Sequence, residues 1–116
     1  PEAIDAGRQA VRVLDAIPGQ DPWLRAAARM AYGRALTAAG RFAEAEPPLQ
    51  EAWTMLEPLG IDPRRRSAGL LALAQLCKAW NAADPAACPE AKLERWRARV
   101  REFEAQHPGT IPSGSY

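Results

Sequence analysis

Apolar residues recur along most of this chain at intervals of three and four, which is the spacing of one face of an α-helix. The clearest case lies between Ala28 and Leu56. Beyond Gly40, the residues Ala45, Leu49, Ala52 (with Trp53) and Leu56 form one stripe, and before it Ala28, Ala31, Tyr32, Ala35 and Leu36 form another. Gly40 takes the left-handed conformation that ends a helix at little cost, and Phe42 brings a large apolar group to the joint. The stretch predicts an antiparallel helical hairpin. Gly33 and Ala45 are the tightest positions, where a branch or a ring would push the two helices apart.

The same periodicity and its punctuation predict five helices. Residues 2–17 carry Ile4, Val11 and Leu14 on one side, turn Arg8 and Arg12 towards water, and stop at Pro18-Gly19. Asp21-Pro22 opens the second helix, because Asp21 can cap free N–H groups and Pro22 sits where a missing N–H costs nothing. The third is expected over 42–57, with its first turn distorted by Pro47-Pro48. Asp62-Pro63 repeats the cap and opens a fourth helix to residue 80, striped by Leu70, Leu73, Cys77 and Trp80. A polar loop over 81–89 leads to a fifth helix over 90–106, with Leu93, Trp96, Val100 and Phe103 on one face. The tail, 107–116, has no stripe to bury and is expected to be flexible.

Composition narrows this to an all-α domain. Alanine occupies 25 of the 116 positions and valine only three, a balance that favours helix and disfavours sheet. The length suits one domain, expected over 1–106. A net charge of +1 supplies no global field for nucleic acid or anionic lipid, so neither nucleic-acid binding nor membrane insertion is expected. No apolar run approaches the roughly 20 residues of a membrane span. A start at Pro1 rather than methionine suggests a piece of a longer protein.

The chain also repeats itself. Residues 2–15 lie over 44–57, matching Ala3 to Ala45, Ala10 to Ala52 and Leu14 to Leu56. The next helices correspond 41 residues apart, Asp21-Pro22 with Asp62-Pro63 and Arg25 with Arg66. A fixed period of this size is the mark of stacked helix pairs, each burying its open face on the next.

Gly33, Leu36, Gly40, Phe42, Ala45, Leu49 and Ala52 give this chain a small/large alternation that resembles a tetratricopeptide-repeat (TPR) protein. Leu70, Leu73, Ala74, Cys77, Ala91 and Ala98 repeat it more weakly, with Asn81 in place of a turn glycine. GRFAEAEPPLQEAW, and the later LAQLCKAW and PEAKLERWRARV, are similar to the repeats that follow the catalytic domain in bacterial receptor-type serine/threonine kinases. The kinase signatures themselves, a glycine-rich phosphate loop and the HRD and DFG triplets, are not in this sequence.

The resemblance implies a short right-handed α-solenoid of about five helices: the second half of one repeat, one full repeat and a divergent one. It also implies a non-catalytic protein–protein interaction or sensor scaffold of a larger bacterial signalling protein. A peptide or protein partner would lie on the concave face, lined by Ala27, Met30, Arg34 and Thr37, then Ala68, Leu71, Gln75 and Lys78. Arg34 or Lys78 would meet a carboxylate. Two other roles stay open: a regulatory helical domain holding a small ligand, or a structural module that self-associates as a homodimer through its exposed first helix.

Little chemistry competes with that reading. Ser67, Ser113, Ser115 and the cysteines lack a partner base, and the one histidine, His107, sits at the edge of the tail. Two cysteines and a remote histidine fall short of a zinc site. No catalytic, cofactor or metal residue is therefore expected. Glu44, Glu46 and Glu51 read as solvated, Arg64-Arg65-Arg66 as an exposed helix start, and Trp53, Trp80, Trp96 and Phe103 as core. Trp23 is a partly exposed anchor. Cys77 and Cys88 are either free thiols or a disulfide stapling the longest loop. The bond would imply an oxidising compartment, the bacterial periplasm on the kinase resemblance, and free thiols would suit the cytoplasm.

Overall fold

The computed structural model describes residues 2–58 and 62–111, which form five α-helices and no strand. They are α1 (Glu2–Asp15), α2 (Pro22–Ala38), α3 (Phe42–Leu56), α4 (Pro63–Ala83) and α5 (Glu90–Gln106). Two of them start alike. The Asp21 carboxylate accepts the Trp23 N–H at 2.9 Å, the Asp62 carboxylate accepts the Arg64 N–H at 2.9 Å, and a proline follows each cap. Helix α2 ends as Gly40 swings to φ 77°, the Gly40 N–H donating to the Thr37 carbonyl and the Arg41 N–H to that of Leu36. The distortion expected at Pro47-Pro48 does not interrupt α3, which runs unbroken through both prolines. Helix α4 runs three residues beyond its expected end at Trp80, and the loop shortens accordingly.

Each helix packs on the next, and α2 also touches α4. Partners climb along one helix while they descend along its neighbour, so each consecutive pair is antiparallel. Gly7 lies on Tyr32 and Arg29 reaches back to Asp15; Gly33 lies on Leu49 while Arg29 also reaches Glu51. Phe42 stacks on Trp80 and Gly69 packs on Trp53 and Leu56. By the same test α3 and α5 run parallel: Glu46 meets Lys92, and Trp53 meets Phe103. The molecule is 19 Å across its thinnest direction, about two helix diameters. Its continuous core runs from Ile4 through Leu36, Leu49, Leu56, Leu73 and Leu76 to Val100.

Three sequence expectations change in this packing. Ala31 is exposed, because the face of α2 that meets α3 is carried by Gly33 and Leu36 instead. Arg8 is half-buried with its guanidinium over the Tyr32 ring at 5.9 Å, so it is a packing residue as well as a surface charge. The start of the tail is packed. Ile111 is only 5% exposed, within the core, and Thr110 caps the end of α5 by donating its hydroxyl to the His107 carbonyl at 2.8 Å. The rest of the expected flexible tail, 112–116, lies outside the described residues.

Candidate interaction surfaces

The face shared by α2 and α4 follows from their matching caps. Trp23 at the start of α2 lies under the Arg65 guanidinium at the start of α4, 4.8 Å from it, and since both helices pack antiparallel to α3 they run side by side in the same direction. The equivalent lining positions are Met30 with Leu71, Arg34 with Gln75, and Thr37 with Lys78. Arg34, Gln75 and Lys78 are exposed, and Leu71 is half-buried, as is Thr37, whose hydroxyl donates to the Gly33 carbonyl at 2.8 Å. Met30 is 5% exposed and belongs to the core, which corrects its place in the lining. The helical phase decides this: Met30 shares the inward face with Ala26 and Gly33, both buried. Arg34 and Lys78 have no carboxylate partner among the described residues.

A cleft lies between the parallel helices α3 and α5. Its upper part, about 570 Å³, is lined by Glu46, Pro47 and Gln50 from α3 and by Arg95, Trp96 and Arg99 from α5. Arg99 lies over the Trp96 ring at 4.9 Å and also borders the lower part, about 270 Å³, beside Trp53, Glu57, Arg66, Glu102 and Phe103. Two buried donors here, the Trp53 indole Nε1–H and the Arg66 Nε–H, have no acceptor among the described residues. An unmet buried donor costs about 1–3 kcal/mol. The cleft was not visible in the sequence, because its two walls lie more than forty residues apart. The one local hint was a pair of arginines a helical turn apart beside Trp96.

The charges show which cations are committed. Arg29 is only 14% exposed and ties three helices, bonding Asp15 of α1 at 2.7 and 3.0 Å and Glu51 of α3 at 3.0 Å. The Asp15 carboxyl is held below its ordinary range by its hydrogen bonds to Arg29. Lys92 bonds Glu46 at 2.6 Å, which raises its ammonium pKa, and also sits over Trp80 at 5.2 Å. Glu44, Glu46 and Glu51, expected to be merely solvated, each carry an ion pair, Glu44 with Arg41. The arginine triplet divides. Arg64 is exposed and Arg65 covers Trp23, whereas half-buried Arg66 lies over Phe103 and reaches the His107 ring nitrogen at 3.1 Å.

Cys77 and Cys88 are both fully buried free thiols, so the disulfide alternative is not the state of this structure. The Cys88 thiol points to the Cys77 carbonyl at 3.8 Å, and the Asn81 side-chain amide donates to the Cys88 carbonyl at 2.9 Å, closing the α4–α5 turn. Burial, reinforced by the neighbouring thiol, pushes the Cys77 pKa up to about 12. Among the described residues no group of three or more His, Cys, Asp or Glu could hold a metal ion, and no helix is long and apolar enough to cross a membrane. Comparison with protein-family models, with curated proteins and with solved structures finds no match to this chain.

Proposed function

We propose that this chain is a non-catalytic interaction module of a larger signalling protein. Its helices stack as a short right-handed, TPR-like solenoid that presents the α2/α4 face to a protein or peptide. The support for the stack is geometric. Consecutive helices form antiparallel hairpins, the second and fourth begin with the same Asp-Pro cap 41 residues apart, and helices of like position run parallel. The observation that carries the binding role is the pair Arg34 and Lys78, exposed cations without a carboxylate partner among the described residues. Where a surface leaves guanidinium and ammonium donors unmet, an incoming carboxylate gains charge-assisted hydrogen bonds without displacing an existing pair.

Peptides selected from a random displayed library against the folded chain test this reading. Their affinity is then measured for the wild type and for Arg34→Glu/Lys78→Glu. A loss of roughly tenfold or more is expected. An unchanged affinity, or a library that yields no binder, would overturn it.

A specific observation favours one second reading, self-association through α1. Val13, Ile17 and Leu24 are the large apolar side chains most exposed among the described residues, and all three lie where α1 hands over to α2. A mass that doubles with concentration in light scattering, and stays monomeric in Val13→Lys/Ile17→Lys, is its expected signature.

A further inference from the structure

The cleft runs between α3 and α5, with Arg66 and Leu70 of α4 in its lower part, and differs from the α2/α4 face in kind. It has an aromatic floor, an excess of cations in its upper part and balanced charge in its lower part. At the upper end Glu46 is neutralised by Lys92. On α5, Glu90 and Glu94 are engaged by Arg97, and Glu94 also by Arg101, at 2.9 to 3.9 Å. Arg95 and Arg99 are left facing the cleft with no carboxylate partner among the described residues. The N-termini of α3 and α5 lie at this same end, since the two helices run parallel. At the lower end Glu57 and Glu102 join Arg66 and Arg99 in the lining and offset their charge.

We propose that this cleft is a binding site for a short acidic peptide segment. Arg95 and Arg99 are one helical turn apart, about 6 Å along the axis. That separation matches two carboxylates at positions i and i+4 of a docked helix, or at i and i+2 of an extended strand. Each guanidinium can bind a carboxylate through two parallel N–H groups. Between them Trp96 and Pro47 form an apolar floor for a side chain lying between the two acids. Charge decides the class of partner. A protein that holds nucleic acid makes some six to ten phosphate contacts, whereas the cleft offers only Arg95, Arg99 and the half-buried Arg66, with the carboxylates Glu57 and Glu102 beside them. A continuous polyanion gains nothing from the balanced lower end, while a peptide with a local acidic cluster needs only the upper one.

The test uses the whole chain and a fluorescein-labelled peptide bearing Glu-Leu-Ala-Ala-Glu, with its double Glu→Gln counterpart and an oligothymidylate as controls. Binding of the acidic peptide that weakens with salt, falls roughly tenfold or more in Arg95→Glu/Arg99→Glu, and persists in Arg34→Glu/Lys78→Glu is the expected result. Amide chemical-shift changes on adding the peptide to the wild type should cluster on α3 and α5, a readout that does not depend on how the variant folds. No binding to the wild type would overturn the proposal. So would shifts confined to α2 and α4, equal binding of the Gln counterpart, or tighter binding of the oligothymidylate.

Discussion

A Cβ built on Gly33 would lie 2.4 Å from the Cγ of Leu49 across the α2–α3 contact. Leu49 is fully buried and has nowhere to move. Alanine at this helical position would gain about 0.5–1 kcal/mol over glycine in helix propensity, but overpacking a closed core costs about 1–3 kcal/mol. The clash wins, and Gly33→Ala is expected to lower the urea midpoint. In a Leu49→Ala background the obstacle is gone, and the same substitution should become neutral or stabilising. A double-mutant cycle measures that reversal, and an unchanged penalty would refute it.

Gly40 presents the opposite case. Its φ of 77° is left-handed, and a Cβ there meets nothing within 4 Å. Gly40→Ala should cost about 1–2 kcal/mol through backbone strain alone, and Gly40→Asn less, because asparagine tolerates that region. At Gly33 the order inverts, asparagine being worse than alanine because it is larger. Unfolding midpoints of the four variants separate a conformational glycine from a steric one.

The Asp15–Arg29 pair sets a pH dependence. Hydrogen bonding to Arg29 lowers the folded Asp15 pKa below its ordinary 3.8. The pair's contribution to stability is therefore fully present above the unfolded value and is lost as pH falls through the folded one. Asp15 is exposed enough that solvent screens much of the effect. Melting temperatures of wild type and Asp15→Asn should differ at pH 7 and converge as pH drops below about 4. A gap that stays constant into acid would contradict the assignment.

The buried thiols predict a reactivity. With the Cys77 pKa near 12, almost no thiolate exists at pH 8, and neither sulfur is exposed. Native protein treated with iodoacetamide at pH 8 should gain no mass over minutes. Protein unfolded in urea without reductant should gain two adducts. Absence of both adducts after unfolding would mean that a disulfide joins Cys77 and Cys88.

Helix boundaries were largely legible because caps act locally. Asp21-Pro22, Gly40 and Asp62-Pro63 each satisfy backbone groups within a few residues, and the structure starts or stops helices at each. The face a residue presents was less legible. Met30 was expected to line a surface and is in the core, while Ala31 next to it is exposed. A step of one residue rotates the side chain by about 100°, and an alanine-rich helix leaves several faces apolar enough to be the inner one. Ile111 was illegible for a related reason, as a lone apolar residue has no periodicity to announce that it joins the core.

By itself the sequence determined five helices, the hairpin at Gly40 and the steric need for a small residue at Gly33, since propensity, capping and close approach depend on short stretches of chain. Tertiary structure alone decided that Glu46 would neutralise Lys92, that Arg29 would be shared by Asp15 and Glu51, and that Arg95 and Arg99 would be left facing a cleft whose other wall belongs to α3. Charges on separate helices pair according to how the helices are phased and stacked. That phasing is set by the whole core at once, not by any segment of it.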